Sequence, residues 1–190
     1  MATKILILSG SPKKNGNTET LINWFIEGAH NTTTQIEVVH TSFLKYRYPG
    51  CSSCRSCQKT EKYGCVIDDD ASTVIEKMIH AQIIVMATPL YFFSASAQLK
   101  IIFDRMFSLY KWDNDKGTMQ TVLQGKTFAL IASAFENIGL DALEKPFSLT
   151  ADYSGMRFES LLIPDAGISG EIKNNACIRE RAIEFGKSII

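Results

Sequence analysis

Four cysteines crowd one short stretch of the chain, spaced Cys51-x2-Cys54-x2-Cys57-x7-Cys65. Four thiolates from a single loop are the ligand set of a [4Fe–4S] cluster. They equally suit a structural zinc ion, since the ligand count fits both metals, and a loop whose thiols hold no metal is a third reading. The fifth cysteine, Cys177, lies far away on an expected helix and reads as a small core residue. The total is odd, and the opening MATKILILSG has too short an apolar run for a signal peptide. Together these argue against a disulfide framework and for a metal or redox role in the cytoplasm.

A second chemistry-bearing segment is Ser9-Gly10-Ser11-Pro12-Lys13-Lys14-Asn15-Gly16-Asn17-Thr18, set between an apolar run and a helical pattern. A phosphate there would meet unpaired backbone N–H groups and the positive end of the helix dipole, with Ser and Thr hydroxyls as further donors. Glycine lets the backbone approach without a Cβ clash. The Walker pattern requires Lys and Ser or Thr after its second Gly, whereas Asn17 follows Gly16, and G-x-G-x-x-G is absent. Nucleoside triphosphates and dinucleotides therefore lose weight. The competing reading is a strand-to-helix turn with no ligand, built from ordinary turn residues.

A third segment, Thr88-Pro89-Leu90-Tyr91-Phe92-Phe93-Ser94-Ala95, is unusually aromatic for a turn. Backbone groups and aromatic faces there suit a flat ring system, and a flavin with its phosphate on the first loop fits that description. Alternatively, Tyr91 and Phe92 belong to the core or to a subunit interface.

These segments need a scaffold that brings them together. Lys4 to Leu8, Gln35 to His40, Gln82 to Ala87, Lys126 to Ser133 and Arg157 to Ile163 read as buried strands. Between them fall helical patterns: Leu21, Ile22, Phe25 and Ala29, with Asn17 or Thr18 as cap; Val74, Ile75, Met78 and Ile79, starting at Asp70 or Ser72; and Leu99, Ile102, Phe103, Met106 and Tyr110, over about 94–110. A final helix from about Asn174 turns Ile178, Ala182, Phe185 and Ile189 inward. Pro146 leaves the limits of a helix over Leu140 to Tyr153 open, and Trp112 to Thr118 reads as a polar, turn-rich connection. Alternating strands and helices specify an α/β domain over residues 1–190: a three-layer sandwich with a five-stranded parallel sheet of order 2-1-3-4-5. Ligands in such sheets bind beyond the carboxyl ends of the strands where the order reverses, between strands one and three.

The stretch SGSPKKNGNT, the segment TPLYFFSASAQLKIIFDR and the loop GCSSCRSCQKTEKYGCVIDDD resemble the NAD(P)H-dependent FMN reductase and iron–sulfur flavoprotein branch of the flavodoxin superfamily. The likeness runs in order through most of the chain. It implies that Ser9, Ser11, Lys13, Asn17 and Thr18 hold the FMN phosphate and that Pro89, Leu90, Tyr91 and Phe92 flank the isoalloxazine. It places Ser133 to Glu136 near the ring, although ASAFEN departs here from Gly-containing versions of that loop. It implies a homodimer or homotetramer, and Cys51, Cys54, Cys57 and Cys65 match the iron–sulfur flavoprotein spacing of cluster ligands. As loops after parallel strands share one edge, the cysteine loop is expected on the flavin side.

The expected activity is an FMN-dependent oxidoreductase passing electrons from NADH or NADPH to a second acceptor. The alternative is an electron carrier that exchanges electrons with ferredoxin through a cluster and has no small-molecule substrate. A zinc-stiffened module without flavin ranks last. Lys plus Arg equals Asp plus Glu at 20 each, which argues against nucleic acid as a partner, and no apolar run has the length of a membrane span. His30, His40 and His80 lack triad partners, and Asp68 to Asp70 precede a helix whose dipole accounts for them.

Overall fold

The computed structural model describes residues 2–113 and 115–190; Met1, which opens the MATKILILSG stretch considered above, and Asn114, in the 112–118 connection, lie outside them. Its main sheet has five parallel strands: β1 (Thr3–Ser9), β2 (Thr34–His40), β3 (Ile83–Pro89), β6 (Thr127–Ser133) and β7 (Arg157–Ile163), in the order β2-β1-β3-β6-β7. Counting only these five, the order is the expected 2-1-3-4-5. Burial explains why three strands are continuous apolar runs. β1, β3 and β6 are covered on both faces, whereas the edge strands β2 and β7 alternate buried and more exposed positions.

The pleat divides the core in two. Ile5 and Ile7 of β1 point to one face, where they meet Leu21, Ile22 and Phe25 of α1 (Asn17–Ala29) and Ile178 and Ala182 of α5 (Ala176–Ser188). Leu6 and Leu8 point to the other, toward α2 (Asp70–His80), α3 (Ala97–Arg105) and α4 (Leu140–Ser154). The inward residues read from periodicity are the ones that pack, with Ile79, Phe103 and Phe185 partly buried at the margins. The crossing of α1 on α5 depends on glycine. A Cβ at Gly28 would stand 2.0 Å from the Ile183 carbonyl oxygen, and one at Gly186 2.2 Å from that of Phe25.

Four local expectations differ. The third helix is shorter than its pattern: Ser96 caps α3, which passes at Arg105 into a 3₁₀ turn (Met106–Leu109). Tyr110, expected as the helix's last inward residue, instead opens β4 (Tyr110–Asp113), which pairs antiparallel with β5 (Thr118–Thr121) where a plain connection was expected. These strands are four residues each, too short for alternation to announce them. Pro146 lies inside α4 and does not break it. It sits on the solvent face, while Leu143, Phe147 and Ala151 bury the other; burying a Leu and a Phe side chain contributes about 1.5–3 kcal/mol each, enough to offset the ~3 kcal/mol cost of an interior proline. Cys177 is exposed at the start of α5 and is not a core residue. Its turn of the helix precedes Ile178, which takes the inward position.

Candidate functional site

The loop after β1 is shaped by its neighbours on both sides. Gly10 N donates to Ala87 O at 2.7 Å, and Ser96 Oγ donates to Gly10 O at 2.6 Å. A Cβ on Gly10 would stand 2.7 Å from both Ser96 Oγ and Leu99 Cβ, so only glycine lets the loop lie this close to the start of α3. On its other flank, Thr41 Oγ1 donates to Ser9 O (3.1 Å) and Ser42 Oγ to Ser11 O (2.9 Å). Within it, Lys13 N donates to Ser11 Oγ at 3.2 Å and Asn15 takes a left-handed φ of 61°.

The loop delivers the chain into α1 without a side-chain cap. Gly16 is the N-cap, so neither Asn17 nor Thr18 plays the capping role expected of it. Asp69, Ser96 and Asn175 cap α2, α3 and α5 with side-chain acceptors; α1 and α4 lack one. First-turn N–H groups of α1 therefore remain for an anion, at the positive end of a 13-residue helix.

Above this loop is a cleft of about 290 Å³ lined by residues of four strand-to-helix loops. Ser11, Lys13, Gly16, Asn17 and Thr18 form one wall, Pro89, Leu90 and Tyr91 the second, and Ser133, Ala134 and Phe135 the third. Of the residues expected to hold FMN, two are not in its lining. Ser9 lies beneath the surface, fully buried, with its hydroxyl unpartnered. Phe92 is completely exposed and borders an adjacent apolar hollow shared with Leu90, Phe93, Ala134, Phe135, Glu136 and Ile138. It is carried there by a tight turn closed by mutual N–H to O bonds between Tyr91 and Ser94 (3.0 and 3.1 Å), whose central residues Phe92 and Phe93 have φ of 45° and 62°. Non-glycine residues in that region cost about 1–3 kcal/mol each.

The fourth wall, Ala166 to Ser169, was missed in the sequence. Asn17 holds it: its Nδ2 donates to Ala166 O (2.9 Å) and Ile168 O (3.0 Å), and its Oδ1 accepts from Gly170 N (2.7 Å). The Asn17 carboxamide is thus committed to a neighbouring loop, while the residue still lines the cleft at the first turn of α1. The turn-rich Gly167-Ile168-Ser169-Gly170 after the last strand was the available signal.

A group with an anionic end and a flat ring fits this cleft on three counts. It offers a helix N-terminus without a side-chain cap, hydroxyl-bearing Ser11 and Thr18 beside it, and a wall containing Leu90 and Tyr91.

The cysteine loop makes a separate place. Cys51, Cys54, Cys57 and Cys65 all line one small cavity of about 20 Å³, together with Arg105 and Phe107. That cavity shares no lining residue with the cleft above the loop after β1. The loop leaves β2 at the expected edge, but its cysteines lie against the C-terminal end of α3, whereas Ser96 at the other end touches Gly10. Nine residues of helix separate those ends, roughly 13 Å along the axis at about 1.5 Å per residue. Among the described residues, no three His, Cys, Asp or Glu side chains gather closely enough to hold a metal as they stand. Four thiols of one loop around one cavity nevertheless match a thiolate-bound centre in donor type and number. Hydrogen bonds from the Ser56 backbone N–H and from the Ser56 and Ser52 side chains hold the exposed Cys54 thiol below its ordinary pKa, whereas burial pushes Cys57 up.

The chain resembles known proteins over part or most of its length. An iron-sulfur flavoprotein of Methanosarcina thermophila is 37% identical over 102 residues, 54% of this chain and 51% of that protein. One from Archaeoglobus fulgidus is 32% identical over 136 residues, 71% of this chain and 64% of its own length. The chain thus spans about half to two thirds of these curated relatives. The solved NAD(P)H:quinone oxidoreductase from Methanothermobacter marburgensis aligns over 99% of this chain and 97% of its own with a TM-score of 0.67 at 16% identity, a likeness of fold, here the flavodoxin-like one. Among the described residues, no helix is long and apolar enough to cross a membrane. The family model described as NADPH-dependent FMN reductase matches residues 3–158, and the chain belongs to that family.

Proposed function

We propose that this protein is an FMN-dependent oxidoreductase that takes electrons from NADH or NADPH and passes them to a second acceptor. The observation that carries it is the cleft joining an uncapped helix N-terminus to the Pro89-Leu90-Tyr91 wall at the point where the strand order reverses. FMN, when bound, supplies hydride acceptance and the release of single electrons. The protein's part is to bind and orient. First-turn N–H groups of α1 with the hydroxyls of Ser11 and Thr18 receive the phosphate, Lys13 offsets its charge, and Asn17 keeps the fourth wall in place. Leu90, Tyr91 and Phe135 exclude water from the ring end of the cleft. No side chain is assigned as an acid or base. Exposed Tyr91, Phe92, Phe93 and Phe135 around the mouth support a homo-oligomer in which a second copy covers them.

Steady-state assays of flavin-loaded protein should show oxidation of NADH or NADPH, and absence of turnover with both would overturn the proposal. Binding is tested separately. Thr18→Val and Ser11→Ala should each weaken FMN by roughly ten- to a hundredfold, since a hydrogen bond to a charged group contributes about 1.5–3 kcal/mol, and should leave riboflavin, which lacks the phosphate, nearly unaffected. Equal losses for both ligands would place the phosphate elsewhere.

A second reading is favoured by one observation, the four cysteines around one cavity. In it the protein is a clustered electron carrier exchanging electrons with ferredoxin. An absorption spectrum of protein purified without oxygen distinguishes them: flavin bands alone support the first, and flavin bands over a broad cluster absorption support the second.

A further inference from the structure

Arg105 is only 1% exposed, at the end of a helix where an arginine ordinarily extends its head to water. Its Nη1 donates to Asp69 Oδ2 at 2.7 Å, and its Nη2 lies 3.2 Å from both Cys65 Sγ and Ile67 O. Its Nε is buried without a partner. Asp69 does not fully answer this cation, because its carboxylate is shared out. Oδ2 also accepts from Arg47 N at 2.9 Å, and Oδ1 accepts from Ala71 N and Ser72 N at the start of α2. A buried ion pair is weak ground for stability by itself, since well-packed apolar residues often do as well. Here the guanidinium lines the cavity that all four loop cysteines line, with one donor on a cysteine sulfur and another unused.

We propose that Arg105 is a positioning residue for a [4Fe–4S] centre on Cys51, Cys54, Cys57 and Cys65, holding Cys65 through an N–H to sulfur bond and setting a positive charge against the ligand set. This rests on the cluster-bearing reading of the loop. Thiolate-ligated clusters are anionic and gain negative charge on reduction, so a fixed cation and a sulfur-directed donor favour the reduced state and raise the potential. Lysine keeps the charge but offers no planar fork able to bond Asp69 and Cys65 together.

The test is anaerobic reconstitution of the full chain with iron and sulfide, comparing wild type with Arg105→Lys and Arg105→Gln. The measurements are iron and sulfide per chain, the spin-resonance spectrum of the reduced form and the midpoint potential. Wild type should take up about four irons per chain. Arg105→Gln should lose at least half of the bound iron, and what remains should titrate at a lower potential, with Arg105→Lys between the two. Far-ultraviolet dichroism and FMN binding report whether the variants fold. If they do not, Arg105→Met combined with Asp69→Asn leaves no unpaired buried charge, and is measured the same way with the same expectation. Variants with wild-type iron, spectrum and potential would overturn the role of Arg105 and leave the cluster reading standing. A wild-type chain that takes up no iron and sulfide, or zinc in their place, would overturn both.

Discussion

Replacing Ser96 with alanine removes two hydrogen bonds at the seam between the loop after β1 and α3. The hydroxyl donates to Gly10 O at 2.6 Å and accepts from Leu99 N at 3.3 Å, and the residue is fully buried. Loss of the helix cap costs about 1 kcal/mol. Depriving the buried Gly10 carbonyl of its donor costs about 1–3 kcal/mol more, because water does not reach it as a substitute. The sum, about 2–4 kcal/mol, should lower the melting temperature by roughly 4–16 °C at about 2–4 °C per kcal/mol for a chain of this size. Gly10 also directly precedes Ser11, which lines the cleft, so part of the loss should appear as weaker FMN binding. If about 1.4 kcal/mol falls on the loop, the dissociation constant rises about tenfold. Thermal unfolding by circular dichroism and fluorescence titration of FMN measure the two. A fall of less than about 2 °C with unchanged FMN affinity would refute the claim that this seam shapes the loop.

Three further perturbations follow from the same structure. Gly28→Ala should force α1 and α5 apart, because its methyl meets the Ile183 carbonyl at 2.0 Å; overpacking of this kind costs about 1–3 kcal/mol or more, read as a lower urea midpoint. Phe92→Gly relieves a strained φ of 45° but removes a ring that the proposed second copy covers, so it should shift the protein toward monomer in analytical ultracentrifugation; an unchanged oligomeric state would count against that cover. Acid stability should depend on Asp69. Burial opposes its ionisation, but hydrogen bonds from Arg105 and from the Arg47 and Ser72 N–H groups outweigh that and hold the carboxyl below its usual range. Its contribution is therefore complete above the unfolded value of about 3.9 and lost as the pH falls through the lower folded value. Arg105 and Asp70 are its charged neighbours, and Tyr46, pushed up to about 12 chiefly by burial, stays neutral throughout this range. Asp69→Asn should flatten the stability profile below about pH 4, and an unchanged acid limb would count against the assignment.

Much of the fold was legible because the chain writes it locally. A strand covered on both faces must be apolar throughout, so KILIL and QIIVMA announce β1 and β3 without tertiary information, and helix spacing picks out Leu21, Ile22 and Phe25. With strands and helices alternating, handedness leaves few sheet orders, and the crevice between β1 and β3 follows from topology alone. The cysteine spacing and the turn residues of 9–18 were visible as types.

Tertiary structure decided which way those residues face and what they are used for. The Asn17 carboxamide braces the Ala166–Ser169 wall, which the sequence does not announce because partners about 150 positions away leave no local trace. Phe92 was turned outward by backbone dihedrals that its side chain disfavours, and no propensity foretells a conformation chosen against propensity. Cys177 went to solvent because Ile178 took the inward position. Nothing in the helical spacing marks Arg105 as buried; only the return of the loop from Cys65 to Asp69 over it makes it a buried cation. Local spacing determines what each segment is, whereas burial and charge pairing depend on which segments arrive together, and that is set by the whole chain at once.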